Sequence, residues 1–513
     1  MHRSSIALVL AAAVLAPALA PLAHSSSHLP QVRTGVLASF DGTPIVYTLF
    51  TPAGASAEAP VPVVLMTHGW AGSRSTNASG SVARMLDAGF AVLTWDSRGF
   101  GESGGFVELN SPDHEVRDVS ALLDMLAKDP KIALDGPGDP RVGMIGGSYA
   151  GGIQLLAGAF DARLDAIAPD IAWSDLRYSL APNGVPKTFW IEVLFGAGLA
   201  TGVANGLSPL NPAGPQALGY NTSLPAWWTH VHATNAANDE VLDGLAYRSP
   251  ATYAGAAAVP TLVTSGWPDA LFNANEAVAN FLAVPDGTPA KLMLYCGGHS
   301  GCPYVSNTTH VTAMQVAWMT RWLHDDPSVA TGAPVEWQTS DGSWREATGW
   351  PPASTTWATA SGTGRLVSTP LPTGGGHPGL SAGGFSGSHD FAAVDRGVSS
   401  FVFTVLPPES SPREVTGIPR ATVTVEGTGA EAFVFLRLVD LKTKRTLDEQ
   451  TTPLRLPLGN GPAMATVDLV GVSYVLPAGH GLGLEVTTSD WIHATNRAPA
   501  AFDVSVDVSV PLV

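Results

Sequence analysis

Cysteine is almost missing: there are two in 513 residues, at positions 296 and 302. That excludes a scaffold stapled by many disulfides and a multi-cysteine zinc ribbon. Charge is scarce as well, at 13% of residues, roughly half the ~25% of an average soluble chain. Because 45% of the residues are apolar, this shortage of charge does not imply disorder; such a chain can build packed cores. Basic residues are the scarcer sign, 26 Lys and Arg against 43 Asp and Glu, and the net charge of -17 makes nucleic acid and anionic membrane surfaces poor partners. Beyond the N-terminus no apolar stretch reaches the ~20 residues of a spanning helix. A wholly helical fold is disfavoured by 55 Gly and 41 Pro, which call for turns and strands. At about 150 residues per domain, the length suits two or three domains.

The one long apolar run is the first. Arg3 precedes Ile6 to Ala23, an uncharged stretch containing Pro17 and Pro21, with the basic and hydrophobic parts of a secretory signal. Ala18-Leu19-Ala20 and Ala23-His24-Ser25 are rival cleavage sites, and a retained anchor is the alternative. The sequence predicts a signal over residues 1–25 and a secreted or cell-envelope protein with no membrane segment after cleavage. The two cysteines lie in Tyr-Cys-Gly-Gly-His-Ser-Gly-Cys. In an oxidising compartment Cys296 and Cys302 are expected to form a disulfide. A metal site including His299, which lacks an obvious fourth ligand, and two free thiols are the alternatives.

From residue 44 to about 325, apolar runs alternate with helical patterns, the mark of a parallel sheet flanked by helices. Val61–Thr67, Ala91–Trp95, Val142–Ile145, Thr261–Ser265 and Lys291–Tyr295 read as strands buried on both faces. Glu115–Leu126 places Val116, Val119, Leu122, Leu123 and Leu126 on one helical face. Residues 173–258, with Trp173, Trp190, Trp227 and Trp228, break the rhythm and predict an inserted cap. From about Ala333 the period becomes two, as in Ala421–Val425, Phe433–Val439, Leu482–Thr487 and Phe502–Val510, which predicts a β-sandwich. Ser361–Gly387 reads as a loop. The expected order is signal 1–25, α/β domain 26–330 and β domain 331–513.

Val142–Ile145 ends in Gly146-Gly147-Ser148-Tyr149-Ala150-Gly151-Gly152, leading into a helical pattern. A serine pinned in a sharp strand-to-helix turn projects its hydroxyl above the sheet, so Ser148 is the candidate nucleophile. The glycine falls one position later than in G-x-S-x-G, and a phosphate-cradling turn, the alternative, lacks its lysine. A serine hydroxyl needs a base held by a carboxylate. Asp269 follows one strand in Gly266-Trp267-Pro268-Asp269, and His299 follows the next in Gly297-Gly298-His299, with His310 the rival base. The order Ser148, Asp269, His299 is that of α/β-hydrolases. For the oxyanion, the N–H of Tyr149 is one expected donor and that of Trp70, in His68-Gly69-Trp70-Ala71-Gly72-Ser73, the other. The Asp96–Ser103 turn is expected to be structural, with Arg98 paired to a carboxylate.

These motifs resemble the X-Pro dipeptidyl-peptidase and cocaine-esterase-like serine hydrolases, peptidase family S15. Gly146–Gly151 is similar to that family's G-x-S-Y-x-G elbow, Gly266–Asp269 to its acid-bearing turn, and Asp96–Gly104 to its D-x-R-G-x-x-x-S-x-G turn. Trp318–Leu323 looks like the closing helix of the catalytic domain, and Trp344-Arg345 with Trp350-Pro351-Pro352 like the entry to the C-terminal jelly roll. The resemblance implies an α/β-hydrolase sheet with an inserted helical cap, a galactose-binding-like β domain, and no cofactor. His68-Gly69-Trp70 stands where cocaine-esterase-like members carry an oxyanion-hole tyrosine.

The resemblance leaves the substrate open among small esters, amides and short peptides. An exopeptidase must hold a substrate ammonium with a carboxylate, and the cap offers Asp175, Glu192, Asp239, Glu240 and Asp243. Its tryptophans instead suit an acyl or aromatic pocket. Ester or amide hydrolysis with small acyl groups is therefore favoured over X-Pro exopeptidase action. A sugar-binding protein on an inactive hydrolase scaffold is the rival of another class.

Overall fold

The computed structural model describes residues 29–207, 219–368, 399–490 and 492–513. The expected signal, residues 1–25, lies outside the described residues. Chain order runs β1 (Gln31–Ala38), β2 (Pro44–Thr51), β3 (Val63–Met66), α1 (Gly80–Asp87), β4 (Ala91–Trp95), α2 (Glu115–Leu126), a ribbon of β5 (Leu134–Gly136) and β6 (Asp139–Pro140), β7 (Val142–Gly147), α3 (Tyr149–Phe160) and β8 (Leu164–Asp170). A cap follows, with α4 (Leu176–Leu180), α5 (Thr188–Gly206), α6 (Ser223–Thr234) and α7 (Asp239–Tyr247). The sheet then resumes with β9 (Thr261–Gly266), α8 (Ala274–Leu282), β10 (Ala290–Tyr295), α9 (Thr308–Leu323), β11 (Val335–Gln338) and β12 (Trp344–Ala347).

Ten strands join in the order β1-β2-β4-β3-β7-β8-β9-β10-β11-β12. Neighbours from β4 to β11 are parallel, and antiparallel pairs close both edges. Successive residues of these strands face opposite sides. Val64, Val92, Ile145 and Met293 meet α1 and α9, while Leu65, Leu93 and Met144 meet α2 and α3. Val116, Val119, Leu122, Leu123 and Leu126 of α2 are all buried, as the helical period predicts. The chain proceeds from β3 outward to β4 and then returns to lay β7 on the other side of β3. In an open parallel sheet the crevice beyond such a reversal is where ligands bind, and the loops after β3 and β7 carry Trp70 and Ser148.

Three strands of the first sheet, β8, β11 and β12, depart from the sequence reading. β8 contains Asp165 and Pro169 yet is buried beside β7. β11 and β12 lie after residue 330, where the sequence suggested the β domain begins, but they extend the first sheet from β10. Val335 and Trp337 bury there against Leu292 and Leu294.

The C-terminal part is two packed antiparallel sheets. One holds β13 (Thr356–Ser368), β15 (Arg413–Gly417), β16 (Arg420–Thr428), β20 (Ala463–Asp468), β21 (Val472–Leu476) and β23 (Ala500–Leu512); the other holds β14 (Ser400–Leu406), β17 (Glu431–Asp440), β18 (Arg445–Thr446), β19 (Thr452–Pro457) and β22 (Leu482–Thr487). Along β23, Phe502, Val504, Val506 and Val508 enter the core while Asp503 and Asp507 face out. The loop expected from Ser361 is corrected up to residue 368, because β13 pairs with β23 throughout. Its glycines are packing positions: a Cβ on Gly362 or Gly364 would fall 2.2 and 2.3 Å from the rings of Phe403 and Phe401. The remainder of that expected loop, 369–387, lies outside the described residues.

Candidate active site

Ser148 occupies the turn between β7 and α3 with φ 60° and ψ -121°, a conformation that L residues adopt only when their surroundings impose it. The surroundings are explicit. The Ser148 N–H donates to the Asp170 oxygen at 2.9 Å, and the N–H groups of Gly151 and Gly152 return to the Ser148 oxygen at 2.8 and 3.0 Å. A Cβ on Gly146 would meet that of Ala150 at 2.8 Å, and one on Gly151 would meet the Asp170 oxygen at 2.6 Å. Glycine is therefore demanded at 146 and 151 rather than at 150, which explains the spacing of the motif. The Tyr149 hydroxyl donates to the buried carboxyl of Glu115 at 3.1 Å and accepts the N–H of Asn110 at 3.1 Å. Glu115 also accepts the N–H groups of Glu108 and Ser111, both at 2.8 Å, and burial pushes it up to about 7.

The structure brings the three residues singled out from the sequence together. His299 Nε2 lies 2.9 Å from Ser148 Oγ, and its Nδ1 lies 2.7 Å from Asp269 Oδ2. Asp269 is fully buried. Its Oδ1 accepts the N–H groups of Leu271 and Phe272, both at 2.9 Å, and its Oδ2 also accepts the N–H of His299 at 3.0 Å. Gly298, at φ +103°, passes so close that a Cβ would stand 2.6 Å from Asp269 Oδ2. Phe272 and Trp190 meet the imidazole edge-on at 5.3 and 6.0 Å between centroids. His310 is elsewhere, its Nε2 2.7 Å from Glu336. Cys296 and Cys302 are bridged, with Cα atoms 5.0 Å apart, bracketing the His299 loop. With both sulfurs bonded and the imidazole engaged, these residues are not a free metal-ligand set.

The loop after β3 is pinned by His68. Its Nε2 accepts the Ser97 N–H at 3.1 Å, which leaves the proton on Nδ1 to donate to the Gly69 oxygen at 2.8 Å. Burial lowers the basicity of this ring, so it stays neutral. Trp70 reaches over to donate its indole N–H to the Leu194 oxygen at 2.7 Å, and its ring packs edge-on against Tyr149 at 5.2 Å. The Asp96–Ser103 turn is structural: Arg98 forks onto Asp118 at 2.7 and 2.6 Å and reaches Asp41 at 3.0 Å.

A cavity of about 130 Å³ opens over Ser148, walled by Trp70, Ile191, Phe195, Trp228, Val231 and Phe272 among others, with no charged side chain in its lining among the described residues. The five cap carboxylates lie away from it. Asp175 is bound by the Arg177 side chain, Glu192 by His232 at 2.8 Å, and Asp239, Glu240 and Asp243 are exposed on α7. Asp170 is a site neighbour that the sequence left unmarked, although it closes an apolar run as Asp269 does. It accepts from Thr264 Oγ1 at 2.7 Å and the Tyr295 hydroxyl at 3.0 Å, and burial pushes it up to about 6.

The parallel sheet, its reversal point and the elbow serine define an α/β-fold serine hydrolase. The model of the X-Pro dipeptidyl-peptidase (S15 family) matches residues 41–301, and that of the X-Pro dipeptidyl-peptidase C-terminal non-catalytic domain matches 328–500. The chain belongs to the S15 family. Among solved structures, an aminopeptidase from a marine-sediment Thaumarchaeota archaeon shares 15% identity at a TM-score of 0.73 over 98% of this chain and 99% of its own. An alpha-amino acid ester hydrolase shares 16% at 0.70, over 97% and 100%. At such identities the likeness is one of fold. An uncharacterized 31.7 kDa protein of Escherichia coli is 31% identical over 114 residues, 22% of this chain, and the match spans only 38% of that relative's length.

Proposed function

We propose that this S15-family protein cleaves ester or amide bonds of small, uncharged acyl groups through an acyl-enzyme on Ser148. The observation that carries this is the hydrogen-bonded chain from Ser148 Oγ through His299 to Asp269, with Ser148 opening onto a cavity that no charged side chain lines among the described residues. Ser148 Oγ attacks the acyl carbon while its proton passes to His299 Nε2. The bond to the leaving group breaks as the imidazolium returns that proton to the departing oxygen or nitrogen. Water then attacks the acyl-enzyme by the same route and frees Ser148. Asp269 keeps the Nδ1 proton in place and balances the imidazolium. The N–H of Tyr149, at the first position of α3 where no intrahelical acceptor exists, and that of Trp70 serve the oxyanion; both residues border the cavity of Ser148.

X-Pro exopeptidase action is the alternative, favoured by the family's name and by the aminopeptidase among the similar structures. It needs a carboxylate facing the substrate ammonium, and none lines the cavity among the described residues. Comparing p-nitrophenyl butyrate with Ala-Pro p-nitroanilide decides between them. The ester should have the higher kcat/KM. A higher value for the anilide, abolished by N-acetylation, would establish the exopeptidase instead. Export by residues 1–25 belongs to the same proposal, supported by Arg3 and the apolar run behind it, and is tested by the N-terminal sequence of protein recovered outside the cell.

A further inference from the structure

Lys187 is buried where three parts of the molecule meet, at the start of cap helix α5. Its ammonium donates to the main-chain oxygens of Ala270 and Leu271, both at 2.9 Å, and it is ion-paired with none of the described carboxylates. A buried cation without a contacting counter-ion is costly, and burial brings its basicity down to about 8. The groups facing it are Asp269 in the acid-bearing turn, Glu276 on α8, and Asp490 and His493 in the C-terminal domain. Residues on both sides of Lys187 are tied to that domain, the Phe189 N–H to the Ile492 oxygen at 3.0 Å and the Ala494 N–H to the Pro186 oxygen at 2.7 Å. Asp490 is in turn fixed by Arg437 at 3.0 Å and by His493 Nδ1 at 2.9 Å.

The two carbonyls that receive the ammonium belong to the same peptide units whose N–H groups, on Leu271 and Phe272, donate to Asp269 Oδ1. Cation and carboxylate thus sit at opposite ends of two shared peptide dipoles, and bonds linked in this way polarise one another. We propose that Lys187 is a positioning residue for the triad carboxylate: through the peptides 270–271 and 271–272 it holds Asp269 oriented, leaving Oδ2 for His299. The cap and the C-terminal domain, which seat Lys187, are thereby coupled to the triad. This rests on the triad assignment proposed above.

The test compares Lys187→Met, Lys187→Gln and Lys187→Arg, with every rate expressed per serine titrated by a fluorophosphonate probe. Losing hydrogen bonds from a charged donor should lower kcat on the order of tenfold or more in the Met variant, with KM little changed. Losing a nearby cation stabilises the imidazolium. The acid limb of kcat/KM should therefore move to higher pH, by about half a unit or more. Asp269 and Asp170 face His299 in every variant and do not alter the comparison. Gln, a donor without charge, should shift the limb, and Arg should restore it; this pair carries the test where Met fails to fold. Acid limbs that coincide in Gln and Arg variants, or a kcat loss that vanishes on titration of active sites, overturn the inference. Wild-type protein that is not labelled at Ser148 would overturn the triad assignment first, a distinguishable outcome.

Discussion

The main-chain oxygen of Asp170 stands 2.6 Å from where a Cβ on Gly151 would be. That oxygen is also the acceptor of the Ser148 N–H, so it cannot yield without disturbing the elbow. Gly151→Ala is expected to lower probe-titratable Ser148 at least tenfold or to prevent folding, since overpacking against backbone costs about 1–3 kcal/mol or more. Ala150→Gly, which removes a Cβ that fits, should stay within about threefold of wild type, helix propensity being its main loss.

Ser148→Ala and His299→Ala should each lower kcat by ~10³ or more, as loss of a triad member does elsewhere. Peptide mapping should place a fluorophosphonate adduct on Ser148 alone. His310→Ala should leave kcat close to wild type, because that ring contacts Glu336 and Trp344 rather than the site. Activity should be lost toward acid pH as the base takes up its proton.

Phe195 and Trp228 stack at 4.7 Å between centroids on the cavity wall. Trp228→Ala should lengthen the pocket and raise the octanoate-to-butyrate ratio of kcat/KM by about tenfold, the scale on which one or two methylenes are discriminated. p-Nitrophenyl esters of graded chain length measure it; an unchanged ratio would place the acyl chain elsewhere.

The bridge between Cys296 and Cys302 closes a short loop carrying His299. The entropy of so small a ring gives a stabilisation of roughly 2 kcal/mol. Cys296→Ala/Cys302→Ala should lower Tm and weaken activity, and reductant should reproduce both effects in wild type while leaving the double variant unaffected.

Burial pushes the carboxyls of Asp448 and Glu449 up to about 8, with the charge of Asp448 adding to the effect at Glu449. The folded protein then retains protons that the unfolded chain has already released. These groups favour the folded state at pH near 4 and oppose it progressively as pH rises toward 8. Glu449→Gln, unable to ionise, should lose less Tm between pH 5 and 8 and exceed wild type at pH 8 by on the order of 2 °C. Parallel curves for the two proteins would count against a protonated Glu449.

Ser148, Asp269 and His299 are legible in the sequence because each stands just past the carboxyl end of an apolar strand. Parallel pairing gathers such strand ends at one edge, so position along the chain translates into position in space. The cap is legible as an interruption of that rhythm, and β23 as strict alternation. β13 is not legible, because a glycine that makes room for a phenylalanine ring looks, in sequence, the same as one that makes a turn. Nor can alternation assign β11 and β12 to a sheet, since either domain offers an edge to pair with. Lys187 is the extreme case. Its acceptors lie 83 and 84 residues away and its seat is built by the C-terminal domain. A lysine ordinarily keeps its charge in water, and only the packing of three distant segments around this one decides that its charge is buried against the acid-bearing turn.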